Sequence, residues 1–425
     1  MLHVDDEKVK SLLLKGEFGI EKESLRIDEN GFMSHTKNPF PGSKHIVRDF
    51  CENQTEINTG VCGSAQEAVA ELDGYYRRVQ KTLKNLPERE YLWPFSNPPY
   101  IRNEDDIPIA LFDGDRAAKT EYREYLSDRY GRYKMTLCGI HVNFSFADEL
   151  LKADFALSGK ADFKEYKNEL YVTLAERVAE YGWLLVALTA ASPLCDRSFN
   201  EKGKYGDGVF EGMASIRCGE TGYWNIFAPV FDYTDLDSYV ESIQNYVEEG
   251  FIKAPTELYY PVRLKPAGKN SLNSLKENGV NHIELRMFDL NPLVSCGVDV
   301  RDVVFAQLLL VYLAGTPRQE FSRKAQVQAV QNFKNAAHYD LKTVKIVVPN
   351  GEVYTVTQAA KNVFGFLREF YKGFPEEVIA VLDFEEAKID DAEKRYAWII
   401  RREYAGDFVK KGLALAKARQ EEADV

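Results

Sequence analysis

The chain has 425 residues, a formal net charge of −12 and 45% hydrophobic residues, which is typical of a globular protein with a sizeable core. The excess of acidic residues argues against a general role in binding nucleic acid or a membrane surface, because both partners are polyanionic. The longest apolar stretches, residues 183–191 and 303–315, are too short or too interrupted to span a bilayer.

The six cysteines are scattered, with no close pair of the kind that forms a zinc or redox motif. The amino terminus has neither the basic start nor the apolar core of a signal peptide. We therefore expect a cytoplasmic protein with free thiols. Because no repeat, low-complexity segment or linker is evident, we expect one domain over residues 1–425, with a sheet-and-helix body over 1–315 and a mainly helical part of the same body over 316–425.

The first segment with a pattern of chemical interest is GIEKESLR, residues 19–26, whose apolar residues show no helical repeat and favour a strand. Glu21 and Glu23 are two residues apart, so in a strand both carboxylates face the same way. Such a pair either lies in solvent or is neutralised by a cation. A solvated strand face is the simpler interpretation of this segment alone.

A second strand is predicted over residues 46–58, after a loop at 37–43 that contains two prolines and a glycine. It carries Asp49, Glu52 and Glu56. Glu52 and Glu56 share strand parity, whereas Asp49 and Glu56 are an odd number of residues apart. All three acids can face one way only if the strand contains a bend or a bulge.

Apolar residues recur at helical spacing in many other segments. The predicted helices span residues 6–15, 65–86, 119–130, 163–191, 235–249, 299–314, 355–371 and 390–419. The three prolines of residues 93–100 predict an ordered loop. The glycine-rich segment 196–222 predicts a mobile surface loop, and its GKYGDG at 203–208 lacks the preceding strand and following helix of a phosphate loop.

Three further segments, residues 136–146, 258–265 and 280–290, alternate between polar and apolar residues as strands do. Their polar faces carry His141, Asn143 and Ser145, then Arg263 and Lys265, then His282, Glu284 and Arg286. A lone histidine is more often a satisfied structural group than a ligand, and an acid and a base two residues apart can simply pair with each other. The basic pair of the second strand could bind phosphates.

Strands with one polar and one apolar face predict an antiparallel sheet that packs helices on one side and holds a site on the other. The open side would carry Glu21, Glu23, acids of residues 46–58, His141 and Glu284. Four or more oxygens with one imidazole suit Mg²⁺ or Mn²⁺ better than zinc. The same surface would add the basic residues Arg123, Arg217, Arg263, Lys265 and Arg286. Cations between acids and arginines are what phosphoryl transfer requires.

Six motifs now support a resemblance, which covers about residues 16–315. They are GIEKE (19–23), WPFSNP (93–98), YREYLSDRYG (122–131), GIHVNFS (139–145), Ala-Ser-Pro (191–193) and HIELRMFDLNP (282–292). In order and spacing the chain resembles the bacterial glutamate–cysteine ligases. The resemblance implies an α+β fold of glutamine-synthetase type, with an antiparallel sheet curved into a funnel, packed helices and a helical carboxy-terminal region. ATP would enter one end of the funnel and amino acids the other.

The resemblance also implies a single catalytic domain, the first step of glutathione synthesis, and ATP, glutamate and cysteine as substrates. Glu23, Asp49 and Glu56 resemble the ligands of one Mg²⁺. Glu21, His141 and Glu284 resemble a group near the nucleotide phosphates. The residues that resemble those holding glutamate or the transferred phosphoryl group are Arg123, Arg217 and Arg286, and those that fall where the family lines its cysteine pocket are Tyr122, Tyr223 and Tyr259.

The chain is shorter than the larger enterobacterial type, and after about residue 320 no motif aligns. It lacks the ATP-grasp module of bifunctional glutathione synthetases, so we expect it to stop at the dipeptide. Separately, we expect a monomer. Three alternatives remain open: a related ligase that uses another amine, a non-catalytic amino-acid or nucleotide sensor, and a metal-dependent hydrolase. The sensor would require missing metal ligands, and the hydrolase gives no role to so many arginines.

Overall fold

The strands predicted to carry polar faces pair into one antiparallel sheet in a computed structural model, which describes residues 1–423. The strands in this part of the chain are β1 (Gly16–Ile27), β2 (Ile46–Arg48), β3 (Gln54–Asn58), β4 (Tyr91–Leu92), β5 (Gly139–Phe146), β6 (Val262–Pro266), β7 (Val280–Asp289), β8 (Lys345–Val347) and β9 (Val353–Thr355). β8 and β9 form a separate hairpin, and the other strands belong to the main sheet.

Helices surround this sheet and make up most of the chain after residue 316. They are α1 (Glu7–Leu12), α2 (Ala65–Lys84), α3 (Ala117–Tyr130), α4 (Asp148–Phe155), α5 (Phe163–Tyr181), α6 (Trp183–Thr189), α7 (Leu236–Glu248), α8 (Leu272–Asn278), α9 (Val300–Gly315), α10 (Arg323–Ala336), α11 (Val356–Phe370), α12 (Glu376–Asp390), α13 (Tyr396–Tyr404) and α14 (Phe408–Glu422). This mixture of helices with an antiparallel sheet confirms the predicted α+β class.

The register of the sheet decides which polar residues become neighbours. The strand order is β2-β3-β1-β5-β7-β6, and β4 pairs with the end of β1. Glu21 on β1 lies opposite His141 on β5, and Glu23 lies opposite Glu56 on β3. On the other side of β5, strand β7 brings in Glu284. Acids that are far apart in the sequence are therefore aligned across four adjacent strands.

Alternation along β1 separates a core face from an open face. Phe18 and Ile20 are buried in an apolar cluster that extends from Leu2 to Ala416, while Glu21 and Glu23 point the other way. Helices α2, α5 and α6 pack against β1, β6 and β7. The sheet thus has the predicted arrangement of a helix-covered side and a polar side.

One predicted strand, over residues 46–58, is wrong: the segment is a hairpin of β2 and β3. Its chain reverses through a turn, so strand parity does not relate Asp49, before the turn, to Glu56, after it. Glu52 lies in the turn itself, where Arg48 Nη1 approaches its carboxylate to 2.5 Å. The turn supplies the bend that three acids on one face would have required. Within it, the carboxylate of Glu52 faces Arg48.

Two predicted helices are also divided. The helix expected over residues 163–191 consists of α5 and α6, with Gly182 between them. The helix expected over 390–419 is wrong, because a 3₁₀ turn, α13 and α14 replace it. Gly406 and Asp407 both have positive φ angles, of 68° and 124°, and this backbone conformation cannot continue a right-handed helix.

The glycine-rich segment 196–222 is only partly the surface loop that its composition predicts. Residues 213–218 are buried, and Ser215 forms a bridge with Ser192. Burial of this stretch carries Arg217 into the interior. All six cysteines are free. None of the helices within residues 1–423 combines the length and apolar character needed to cross a membrane.

Helix α14 provides a test of the packing, because Gly412 lies against Trp93 of the proline-rich loop. A Cβ atom there would lie 2.2 Å from the indole ring. We expect Gly412→Ala to lower the free energy of unfolding by about 1–3 kcal/mol through overpacking, although alanine is the better helix former.

The matched control is Gly365→Ala on α11, where nothing lies within 4 Å of the new methyl group. We expect this change to stabilise the protein by about 0.5–1 kcal/mol. Urea unfolding of both variants measures the difference. A stabilised Gly412→Ala variant would contradict the packing of α14 on Trp93.

Candidate functional site

A cavity of about 290 Å³ lies on the polar side of the sheet. Every side chain that the sequence proposed for the site lines it: Glu21, Glu23, Asp49, Glu56, Tyr122, Arg123, His141, Arg217, Tyr223, Tyr259, Arg263, Lys265, Glu284 and Arg286. They come from β1, β5, β6 and β7, from the β2–β3 hairpin, from α3 and from the segments around residues 217–223 and 256–259. The cavity is therefore built from distant parts of the chain.

The first group of acids surrounds His141. Its Nδ1 lies 2.9 Å from Glu21 Oε2 and 4.0 Å from Glu284 Oε1. Asn143 donates a hydrogen bond of 3.1 Å to the other oxygen of Glu21. One donor atom from each of Glu21, His141 and Glu284 lies within 4.8 Å of the others, which is close enough for the three to ligate one metal ion.

Glu284 is fully buried and is held between two bases. Lys265 Nζ lies 3.0 Å from one of its oxygens, and Arg286 Nη1 lies 3.1 Å from the other. Burial favours the protonated acid, but the charges of Arg286 and Lys265 outweigh it and hold the pKa of Glu284 well below its usual value. This carboxylate stays charged, and it fixes the two bases at the cavity wall.

The second group, Glu23, Asp49 and Glu56, has the opposite balance. Burial and the charge of Asp49 raise the pKa of Glu23 to about 8, against the lowering effect of Arg217 and other groups. Burial and the same carboxylate raise the pKa of Glu56 well above its usual value. Three acids thus crowd together with too little positive charge to stabilise them. A divalent cation would supply the missing charge, and their oxygens suit Mg²⁺ or Mn²⁺.

The two groups meet at His141, whose Nε2 lies 3.9 Å from Glu23 Oε1. The second oxygen of Glu23 accepts a hydrogen bond of 2.9 Å from the backbone N–H of Gly139. Burial, followed by the charge of Arg286, lowers the pKa of His141. A neutral imidazole at this position can act as a metal ligand through either nitrogen.

The arginines occupy fixed positions around these acids. Arg217 lies flat against Gly139, so closely that a Cβ atom there would be 2.2 Å from its Cζ. The guanidinium of Arg123 donates from Nε to the backbone carbonyl of Asp49 at 2.6 Å. Arg263 donates from Nη2 to the carbonyl of Thr256 at 2.9 Å. Burial and the neighbouring Arg286 lower the pKa of Arg263 to about 10, so it remains charged at neutral pH.

The tyrosines form the remaining wall. The rings of Tyr223 and Tyr259 meet edge to face with centroids 4.4 Å apart. Burial raises the pKa of Tyr122 to about 12 and that of Tyr223 well above its usual value, so both hydroxyls stay neutral. A smaller space of about 40 Å³ adjoins this wall. Its lining is mainly apolar, including Trp224 and Met287, and also contains Arg217 and Arg286. This side of the cavity has room for a small side chain.

The sequence did not identify several lining residues: Phe50, Leu126, Met135, Leu137, Thr256 and Asn270. Leu126 lies within the motif YREYLSDRYG, so its place in that motif could have indicated that it lies near the site. Asn143, which binds Glu21, was on the predicted polar face of its strand. The others are isolated apolar or polar residues in loops and turns, and no spacing distinguishes them.

Solved structures share this fold. The bifunctional glutathione synthetase of Pasteurella multocida superposes with a TM-score of 0.84 and 24% identity, covering 99% of this chain and 54% of the other. The glutamate–cysteine ligase of Francisella tularensis, solved in complex with AMP, superposes with a TM-score of 0.84 and 22% identity. The match covers 96% of this chain and 89% of the other. The protein thus shares the mixed helix and antiparallel-sheet fold of these two structures.

The family profile described as glutamate-cysteine ligase matches residues 1–254 and 248–336. The chain therefore belongs to the glutamate–cysteine ligase family. It is 32% identical over 441 aligned residues to the glutathione biosynthesis bifunctional protein GshAB of Listeria monocytogenes, covering 99% of this chain and 56% of the relative. It is also 32% identical over 358 aligned residues to the protein of the same name from Enterococcus faecalis, covering 82% of this chain and 46% of that relative. The chain spans about half the length of these curated relatives.

The crowded acids give a prediction about metal-free protein. We expect Glu56→Gln to raise the melting temperature at pH 8 in the presence of a chelator, by roughly 2–4 °C, because it removes one of three mutually repelling carboxylates. The pKa of Glu56 is higher in the folded than in the unfolded protein, so wild-type stability falls as pH rises above about 4.5. The advantage of the variant should therefore shrink toward pH 5.

Thermal unfolding between pH 5 and pH 9 checks this expectation. Glu52→Gln is the matched control, because Glu52 pairs with Arg48 and does not line the cavity. The melting temperature of Glu52→Gln should not exceed that of the wild type at pH 8. A Glu56→Gln variant that melts at or below the wild-type temperature at pH 8 would rule out the crowding of charge at this position.

Proposed function

We propose that the chain joins the γ-carboxylate of L-glutamate to the amine of L-cysteine, using ATP and giving γ-glutamylcysteine, ADP and phosphate. This is the first step of glutathione biosynthesis, and we place it in the cytoplasm. The observation that carries the proposal is that two groups of acids and three buried or half-buried arginines, Arg217, Arg263 and Arg286, share one cavity in a member of this ligase family. Sets of this kind balance the charge of a phosphoryl group.

The acids would hold Mg²⁺, with Mn²⁺ as an acceptable substitute. The uncompensated set of Glu23, Asp49 and Glu56 fits one ion, and Glu21, His141 and Glu284 fit a second position near the nucleotide phosphates. When bound, such ions would neutralise negative charge on the transferred phosphoryl group. The raised pKa values of Glu23 and Glu56 support the fit, because carboxylates short of positive charge gain most from a cation.

A free carboxylate is a poor acyl donor, so we propose an acyl-phosphate route. An oxygen of the glutamate γ-carboxylate attacks the γ-phosphorus of ATP, and the bond to the bridging oxygen breaks to release ADP. The cysteine amine then attacks the acyl carbon of γ-glutamyl phosphate, and phosphate leaves with the electron pair of the broken C–O bond. Arg123, Arg217 and Arg286 would hold glutamate and its phosphoryl group, while Arg263 and Lys265 would bind the nucleotide.

No cysteine of the chain is required as a nucleophile in this route. Cys138 lies closest in the sequence to the site strands, but it is fully buried, and burial and the charge of Glu23 raise its pKa well above the usual thiol value. A thiol in this environment stays protonated and inert. The acyl group therefore passes directly from phosphate to the substrate amine.

The acceptor amine would lie against Tyr122, Tyr223 and Tyr259. Neutral tyrosines beside a small apolar space suit the short side chain of cysteine. A related ligase with another acceptor amine is the main alternative, since its acids and arginines would be the same and only this wall would differ. A non-catalytic sensor is less well supported, because all of the proposed metal ligands are present.

We also propose that the sheet curves into a funnel, with ATP entering one end and amino acids the other. Residues 1–425 would form a single catalytic domain, in which 1–315 provide the sheet and its helices and 316–425 a mainly helical part of the same body. The apolar cluster that runs from Leu2 to Ala416 supports this unity. We propose a monomer that has small-molecule substrates and no nucleic-acid or membrane partner.

The proposal predicts amine-dependent release of ADP. Purified protein with ATP, Mg²⁺ and glutamate should release ADP when cysteine is added, and 2-aminobutyrate should substitute for it because a methyl group replaces the thiol. Unrelated amines that lack an amino-acid carboxylate should not, with the exception of hydroxylamine, which is small and strongly nucleophilic. Hydroxylamine should trap γ-glutamyl phosphate as the hydroxamate. If no amino acid of this size stimulates ADP release, the proposed ligation of glutamate to cysteine is excluded.

A second prediction concerns Arg286, whose guanidinium binds Glu284 and lines the cavity. We expect Arg286→Lys to lower kcat/KM by about 100-fold although the charge is kept, because lysine cannot reproduce the planar fork of donors. Steady-state kinetics measure the effect, and circular dichroism checks the fold. Arg78→Lys, at an exposed position on α2, is the control and should change the rate less than twofold. If Arg286→Lys has the kcat/KM of the wild type, Arg286 does not take part in the proposed mechanism.

A further inference from the structure

The motif YREYLSDRYG supplies more side chains than the proposed function uses. Tyr122 and Arg123 reach the cavity from α3, but Tyr125, Arg129 and Tyr130 lie away from it. Among the residues of α3 itself only Leu126 is buried, while Tyr122, Tyr125 and Tyr130 are partly buried against the apolar core. Polar contacts therefore add to a limited apolar packing in holding α3 beside the cavity.

Those three side chains converge on the buried carboxylate of Glu257. Its Oε1 accepts hydrogen bonds from the hydroxyls of Tyr130 at 2.8 Å and Tyr125 at 3.2 Å, and Arg129 Nε lies 2.9 Å from the same oxygen. Its Oε2 accepts a bond of 2.6 Å from the backbone N–H of Lys253. One carboxylate thus accepts three hydrogen bonds and pairs with the charge of Arg129, and three of these four contacts come from the motif on α3.

Glu257 is also tied to the opposite wall of the cavity. It ends the 3₁₀ turn Pro255–Glu257, which carries Thr256 into the cavity. Asn225 donates a bond of 2.9 Å to the backbone carbonyl of Glu257 and accepts one of 2.8 Å from the backbone N–H of Tyr259. The backbone that presents Thr256 and Tyr259 therefore moves with Glu257.

We propose that Glu257 is a positioning residue that fastens α3 to residues 255–259, and that it thereby sets the shape of the acceptor wall formed by Tyr122, Thr256 and Tyr259. This inference rests on the proposed function for its substrate, but not for its geometry. Glu257 does not line the cavity and would touch no substrate. Its effect on acceptor binding would pass through the side chains on either side of it.

The contacts explain why a carboxylate is needed at this position. An ionised carboxylate only accepts hydrogen bonds, which matches two hydroxyls, a guanidinium and a backbone N–H. A glutamine of the same shape would turn an amide N–H toward one of these donors, leaving that pair unsatisfied. Burial and the neighbouring Glu257 raise the pKa of Tyr130 to about 12, so its hydroxyl remains a donor at neutral pH.

The decisive variant is Glu257→Gln, with Glu124→Gln as its matched control. Glu124 lies on the same helix, but it is exposed and does not line the cavity. Hydrogen–deuterium exchange should become at least tenfold faster in residues 117–130 and 251–260 of Glu257→Gln, with β5 unchanged. Glu124→Gln should exchange as the wild type does. Unchanged exchange in both segments of Glu257→Gln would overturn the proposal, whatever reaction the protein catalyses.

Kinetics give the second measurement. The KM for the acceptor amino acid should rise at least tenfold in Glu257→Gln, while the KM for glutamate changes less than twofold. A merely structural contact would lower the amount of active protein and leave both KM values unchanged, and that result would overturn the positioning role. If Glu257→Gln fails to fold, Tyr130→Phe, which removes one donor, should show the same selective rise of at least threefold, and its absence would count against the proposal.

If the wild-type protein released no ADP with any amino acid, the proposed function would fail. The exchange experiment would still test the link between α3 and residues 255–259. Conversely, an active enzyme whose Glu257→Gln variant keeps wild-type exchange and KM values would leave the ligase function standing and remove the positioning role. The two failures are therefore distinguishable.

Discussion

The structure depends on how charge is balanced among the buried and half-buried groups of one cavity. Glu284, the most deeply buried of its acids, is neutralised by Lys265 and Arg286, and these contacts keep it ionised. A few ångströms away, across His141, the carboxylates of Glu23 and Glu56 form no ion pair with a lysine or arginine of residues 1–423, and their pKa values are raised. A buried charge without a partner is costly. The fold accepts this cost at the position where a divalent cation is proposed, which links stability to ligand binding.

The antiparallel sheet makes this uneven distribution possible. Adjacent strands bring Glu56, Glu23, His141 and Glu284 into line because the register across β3, β1, β5 and β7 is fixed by the buried apolar face behind them. A slip of one residue would move each acid into the core. The same core that stabilises the chain therefore holds the polar groups in their relative positions.

The two walls of the cavity are built differently. Four of the five acids and most of the bases stand on strands of the sheet, whose backbone hydrogen bonds leave them little freedom; Asp49 lies just after β2. Tyr122, Thr256 and Tyr259 stand on a helix and a turn that depend on polar contacts to Glu257 and Asn225. A rigid wall for phosphoryl chemistry and an adjustable wall for the acceptor would allow substrate preference to change without disturbing the acids.

The sequence by itself predicted the faces of β1, β5, β6 and β7, most of the helices, and the acids, arginines and tyrosines of the proposed site. It did so partly from alternation and partly from motifs that resemble a known family. Alternation has a fixed period, so the shared face of Glu21 and Glu23 follows from local geometry.

Only the tertiary structure decided that residues 46–58 form a hairpin, that the helix predicted over 390–419 is interrupted, and that Glu257 joins two walls. Turns and long-range contacts leave no periodic signal, because they depend on which distant segments the core brings together. The same folding produced the crowding of Glu23, Asp49 and Glu56, since spacing along the chain does not show how many charges share one buried volume.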